Sequence, residues 1–139
     1  MKLYKIFKVF LFSVILISSS VMANDSFDIN NKNHQGKNYE GLNFSNKNLS
    51  GYDFSNTELD DANFQNANLT GTNFTGAEIE NANFSGANLT NTNFTDADLE
   101  EANLNNATMD KTIFKNTELE YATWKDGRIC APGSIGSCW

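Results

Sequence analysis

Proline, cysteine, histidine and basic side chains are scarce in this 139-residue chain, which has one Pro, two Cys, one His and 10 Lys or Arg. Two cysteines are too few for a disulfide-dense scaffold, and one proline is too few for collagen. Three of the basic residues, Lys2, Lys5 and Lys8, lie within the first 23 residues. Residues 24–139 then have 7 basic groups against 17 acidic ones, a net charge of −10. This balance excludes a nucleic-acid binder that neutralises phosphates.

Residues 1–23 are predicted to be a secretory signal peptide. A lysine-containing start is followed by the apolar run 9–17 and by Val21-Met22-Ala23, after which we expect cleavage. A permanent membrane anchor is the alternative, but the apolar run is shorter than the roughly 20 residues that cross a bilayer. No cysteine follows this run, which disfavours a lipid anchor. We therefore expect a bacterial protein of the periplasm or the extracellular space, without membrane attachment after cleavage.

A large apolar residue recurs at every fifth position of the mature chain, and an Ala or Thr usually lies two positions before it. Five residues of an α-helix turn through about 500°, so this spacing makes no apolar stripe. In a straight strand, residues five apart point to opposite faces. A short extended segment followed by a corner, repeated many times, satisfies the pattern and predicts a solenoid around a narrow apolar axis. The apolar series is Phe44, Leu49, Phe54, Leu59, Phe64, Leu69, Phe74, Ile79, Phe84, Leu89, Phe94, Leu99, Leu104, Met109, Phe114, Leu119 and Trp124.

A second period of twenty residues predicts how many five-residue sides one coil of the solenoid contains. Phe and Leu alternate from unit to unit, and residues 62–81 align with residues 82–101. Four units therefore form one coil, in which Phe stacks on Phe and Leu stacks on Leu.

The units Ala-Asn-Phe, Ala-Asn-Leu and Ala-Asp-Leu resemble those of the pentapeptide repeat family, over about residues 42–126. The resemblance implies an all-β fold, a right-handed quadrilateral β-helix with about four 20-residue coils. We expect this helix over residues 39–126, after a polar and flexible segment 24–38 and before a C-terminal cap loop 127–139. The tail after Trp124 also resembles that of secreted bacterial members of the family.

Cys130 and Cys138 lie close together near the C-terminus. In an oxidising compartment the simplest interpretation is a disulfide that closes the cap. An unpaired thiol and a metal site are the alternatives, although zinc would need further ligands nearby. The single histidine, His34, is far along the chain and is expected to be an exposed tail residue. No catalytic, cofactor or metal residues are predicted, and the protein is not expected to be an enzyme.

Charge is distributed unevenly along the repeats. Eleven acidic residues and no basic one lie between Lys47 and Lys111. On 20-residue coils, eight acidic residues fall into two columns on one face, named here the acidic face. Duplication of a repeat would produce such columns without selection. Alternatively, they bind a protein with a basic surface or, weakly, divalent cations. The columns are Glu58, Glu78, Asp98 and Glu118, and Asp60, Glu80, Glu100 and Glu120.

Two functional hypotheses follow. The first is a non-enzymatic secreted or periplasmic protein that acts as a structural or protein-binding module through the acidic face. The second comes from the resemblance, because some cytoplasmic pentapeptide repeat proteins mimic DNA and modulate DNA gyrase. That alternative requires a cytoplasmic location, which the predicted signal peptide opposes.

Overall fold

The computed structural model describes residues 25–139, so the predicted signal peptide lies outside the described residues. Over these residues the backbone contains neither a helix nor a strand longer than an isolated bridge. Every parallel bridge joins residues 20 apart, from Asn33 with Asp53 to Asn103 with Thr123. One coil therefore contains four sides of five residues each, as the two periods predict.

Each five-residue unit turns its corner through one residue with a left-handed backbone. This residue lies two positions after the inward apolar residue, as at Asn66 (φ 56°) and Gly71 (φ 67°). Glycine and asparagine adopt this conformation at the lowest cost. The asparagine before the inward residue supports the same turn, because Asn63 Oδ1 accepts the Gln65 amide at 3.0 Å. The abundant asparagines are thus a requirement of the repeat.

Two side chains per unit fill the axis. The inward apolar residues from Phe44 to Leu104 are at most 1% exposed, and the Ala and Thr residues two positions before them in the central coils are equally buried. Phe64 stacks on Phe44 and Phe84 at centroid distances of 5.0 and 4.9 Å. Where Thr92 replaces alanine, its hydroxyl donates to the Leu69 carbonyl at 2.8 Å. The inward positions predicted from the sequence are therefore confirmed in these coils.

The helix begins earlier than expected, because residues 33–38 of the segment predicted to be flexible belong to a regular coil. Asn33 and Asn38 bridge to Asp53 and Glu58 of the next coil. Gly36 adopts the left-handed corner conformation, with φ 68°. The boundary at residue 39 is therefore corrected to about residue 33. One side has five levels, so the helix has nearer five coils than four; those levels are Asn33, Asp53, Asn73, Asn93 and Ile113.

The expectation that His34 is an exposed tail residue is wrong. Its side chain is 2% exposed and occupies an inward position, as does that of Tyr39 in the next unit. The first coil therefore uses an imidazole and a phenol where later coils use Phe, Leu, Ile, Met or Trp. The five-residue period of large apolar residues therefore does not reveal these two units.

The C-terminal cap is closed by the predicted disulfide between Cys130 and Cys138. Residues 127–139 fold back over the last coil, where Ile129 and Ile135 form antiparallel bridges. The Leu119 amide donates to the Ser134 carbonyl at 2.9 Å, which supplies the partner that a following coil would provide. The described residues include no helix long and apolar enough to cross a membrane.

Candidate functional site: an acidic face

The first acidic column is built by consecutive backbone bridges. Glu58 bridges to Glu78, Glu78 to Asp98, and Asp98 to Glu118. Each of these residues precedes an inward Leu or Ile, so its side chain points away from the axis. Asn38 continues the column in the first coil, and its side-chain amide donates to the Glu58 carboxylate. Coils joined in this way lie about 4.8 Å apart.

The second column follows the inward residue and is held in the same register. The amides of Asp61, Asn81 and Glu101 donate to the carbonyls of Glu80, Glu100 and Glu120 at 2.9, 3.0 and 2.9 Å. In addition, the Glu80 amide donates to Asp60 Oδ1 at 2.9 Å. A carboxylate of one coil thus accepts a backbone hydrogen bond from the next coil.

Three carboxylates of the two columns, those of Glu80, Asp98 and Glu100, converge on one place. Each offers one carboxylate oxygen, and the three oxygens lie within 4.8 Å of one another. The Glu100 amide also donates to Asp98 Oδ1 at 3.0 Å. Calcium takes six to eight oxygen ligands, so water would have to supply much of its coordination here.

Burial, and after it the charge of neighbouring carboxylates, disfavours ionisation of Asp60. Burial raises the pKa of the Asp60 carboxyl above its ordinary value, and the nearby charges of Glu78, Asp98 and Glu40 raise it further. The hydrogen bond from the Glu80 amide opposes this rise. Ionisation of the Asp60 carboxyl therefore costs free energy in the folded protein.

The opposite side of the helix has no charged residue in its two central units, those of Leu69 and Leu89, and charges flank them at Lys47, Asp110 and Lys111. Its column before the inward residues contains Asn48, Asn68 and Asn88 in the first three levels, joined by bridges. Asn68 Nδ2 donates to Asn48 Oδ1 at 3.2 Å, a contact that two carboxylates cannot make. The charge asymmetry expected from the sequence is therefore a property of the folded coils.

The sequence reasoning missed an aromatic cluster at the N-terminal end. Phe27, His34, Tyr39 and Tyr52 pack together there against the first Phe residues of the axis. Asn33 and Gly36 hold the same places around His34 that asparagine and glycine hold around later inward residues. The positions of these two turn residues were the sequence signal that could have placed His34 inside the first coil.

A sequence model of the family described as pentapeptide repeats matches the chain with eight copies, over residues 40–76 and 77–116. No curated protein matches the chain significantly.

Several solved structures resemble the chain. HetL, a pentapeptide repeat protein involved in heterocyst differentiation regulation in the cyanobacterium Nostoc, is 28% identical, with a TM-score of 0.40. The match covers 70% of this chain but only 42% of HetL. A pentapeptide repeat protein of the Arabidopsis thaliana thylakoid lumen is 28% identical over 78% of this chain and 77% of its own, with a TM-score of 0.37. QnrB1, a plasmid-mediated fluoroquinolone resistance protein, is 21% identical over 70% and 58%, with a TM-score of 0.25.

Proposed function

Because the chain belongs to the pentapeptide repeat family, whose members are generally structural or binding modules, we propose that it is a non-enzymatic module that binds a protein through its acidic face. We place it in the periplasm or outside the cell, on the strength of residues 1–23. The family forms right-handed quadrilateral β-helices, and a rigid scaffold of this kind keeps surface charges at fixed spacing. The observation that supports the proposal is the alignment of two carboxylate columns on one side, opposite a side whose central units are uncharged.

Electrostatics favours a cationic partner for this surface. Two like charges about 4–5 Å apart repel by about 1 kcal/mol in water, before salt screening. A protein with a basic surface would relieve this repulsion at several levels of the column. Attraction of this kind speeds association and weakens as ionic strength rises.

The proposal is tested by neutralising the two central levels with Glu78→Gln, Glu80→Gln, Asp98→Asn and Glu100→Gln. Asparagine at 98 keeps an oxygen for the Glu100 amide, so we expect the variant to fold. A matched control changes positions on the opposite side, with Thr70→Ser and Thr90→Ser, and leaves in place Asn68 and Asn88, whose side chains accept the amides of residues 70 and 90. Partners captured from a periplasmic extract at low salt should be lost with the neutralised variant, kept with the control, and released from the parent by salt. Capture of the same proteins by parent and neutralised variant would show the acidic face to be a by-product of repeat duplication.

Location is tested separately by fusing residues 1–30 to a reporter that is active only after export. Export is the expected result. Retention in the cytoplasm would refute the proposed location and would make purified DNA gyrase the partner to examine.

Weak binding of divalent cations is the second property proposed for this face. Glu80, Asp98 and Glu100 supply carboxylate oxygens, which suit Ca²⁺, but too few of them for a tight site. We expect a dissociation constant on the order of 1 mM, the weak end of the extracellular range. Calorimetric titration of the parent and the neutralised variant with CaCl₂ checks this, since only the parent should bind.

A further inference from the structure

The imidazole of His34 is packed as an aromatic residue of the core. Its ring stacks with those of Phe27, Phe54 and Tyr52, at centroid distances of 4.6, 5.3 and 5.7 Å and interplanar angles of 22°, 18° and 5°. It lies 20 residues before Phe54 and therefore continues that phenylalanine column into the first coil. Aromatic rings therefore contact the imidazole on several sides where water would otherwise lie.

Only one of the two imidazole nitrogens has a hydrogen-bond partner. Nδ1 lies 2.7 Å from the Tyr39 hydroxyl, which can donate or accept, whereas Nε2 is buried without a partner. Protonation would turn both nitrogens into donors. It would place a positive charge, and an N–H group without an acceptor, inside the coil, which is costly.

The groups around the ring favour its neutral form overall. Burial lowers the pKa of His34 below its ordinary value of 6.5. A hydrogen bond with the Asn31 backbone, followed by the charge of the Asp28 carboxylate, opposes this lowering of the pKa of His34, and the charge of Lys37 adds to the lowering.

The remaining charged and titratable groups at this end have partners or are neutral. Asp25 forms an ion pair with Lys37, with 3.6 Å between carboxylate and ammonium. Lys32 places its ammonium 5.6 Å from the centre of the Tyr52 ring. Burial raises the pKa of Tyr39, so its hydroxyl stays protonated.

We propose that His34 is a pH-sensitive switch of the N-terminal end: protonation of its ring in mildly acidic solution opens the first coil while later coils stay folded. The open coil takes up a proton near pH 6.5, and the closed coil only at lower pH. Closure is therefore fully favoured above pH 6.5 and weakens as the pH falls towards the lowered pKa of His34, below which no further change occurs. Coils of a solenoid contact only their neighbours, which keeps the opening local.

The first test is a proton NMR titration of the full mature chain, purified without a histidine tag. His34 is the only histidine, so its ring signals need no assignment. We expect them to titrate below pH 6.5. The faces of the surrounding aromatic rings attract cations, and a titration at or above pH 6.5 would mean that this attraction prevails and would overturn the proposal.

The second test measures amide hydrogen exchange between about pH 7.5 and pH 5, corrected for the intrinsic effect of pH. The amides of His34 and Tyr39, which donate to Asp53 and Glu58, report the first coil; those of Phe74 and Phe84 report the middle. Linkage predicts a loss of protection in the first coil that approaches tenfold when the pKa of His34 lies one unit below 6.5 and that is limited to about thirtyfold at pH 5. Equal losses in both regions, or none in the first coil, would contradict the switch.

A matched variant separates protonation from other effects of acid. His34→Phe combined with Tyr39→Phe continues the phenylalanine column and leaves no unpartnered hydroxyl. First-coil protection in this double variant should not change with pH beyond the change seen in the middle coils. A pH dependence equal to that of the parent would assign the effect to another group.

Discussion

The axis accepts little more than a methyl group at the positions two before each inward apolar residue. Ala87 is 0% exposed, whereas Thr90 is only half-buried and lies on the outer surface. Ala87→Leu should lower the free energy of unfolding by about 1–3 kcal/mol or more through overpacking, and Thr90→Leu should change it little. Urea unfolding of both variants checks this. Equal effects would show that inward and outward positions are interchanged.

Three corner residues adopt a left-handed backbone without being Gly, Asn or Asp. They are Glu101, Lys111 and Tyr121, with φ of 60°, 55° and 59°. Glu101→Asn should raise the free energy of unfolding by about 0.5–1 kcal/mol, because asparagine tolerates this conformation better.

Glu101→Gln is the control, since it removes the same charge and keeps the unfavourable backbone preference. Thermal unfolding compares the two variants. The same gain in both would attribute the effect to charge, and not to the backbone.

At the level of the repeat unit, the sequence predicted most of the fold. The order Ala-Asn-Phe or Ala-Asn-Leu predicts the buried small residue, the turn-supporting asparagine and the inward apolar residue, and all three are observed around Phe64 and Leu69. The first coil was missed because His34 and Tyr39 are polar types, which become inward residues only through their mutual hydrogen bond and ring stacking. The sequence also predicted the two acidic columns. It could not show that Glu80, Asp98 and Glu100 converge, because that depends on side-chain conformations.

The disulfide of the C-terminal cap should stabilise only the end of the helix that it closes. The Cys130–Cys138 bridge spans a separation of eight residues, and a short loop of this kind contributes roughly 2–3 kcal/mol. Reduction should therefore loosen residues 117–139 and leave the central coils folded, because stability in a solenoid is a sum over neighbouring units.

Hydrogen exchange before and after reduction measures this difference. The amides of Leu119 and Trp124, which donate to the cap, should lose protection, while that of Phe84 should keep it. Cooperative loss of all three would contradict the local role.

For the whole molecule, the 20-residue period makes a long deletion less harmful than a short one. Deleting residues 62–81 removes one coil and brings Phe44 over Phe84 and Leu59 over Leu99, so every side still matches. Deleting residues 62–66 moves the rest of the chain by one side and places Leu69 over Phe44. We expect the 20-residue deletion to unfold at the higher temperature, because mismatched sites cost about 1–3 kcal/mol each. Circular dichroism melting of both variants checks the order, and a lower midpoint for the 20-residue deletion would contradict it.

The two phenylalanine columns also have a consequence for the optical spectra of the molecule. Phe74 lies nearly parallel to Phe94, with 5° between the rings, and nearly perpendicular to Phe84, at 84°. Chromophores fixed in such an asymmetric array are expected to produce fine structure in the near-ultraviolet circular dichroism spectrum, which disappears when the coils lose their register. Trp124 ends one column, 5.2 Å from Phe114, and the second tryptophan, Trp139, lies in the cap, so tryptophan fluorescence reports the C-terminal end. The chain therefore contains built-in optical probes for its middle and for one of its ends.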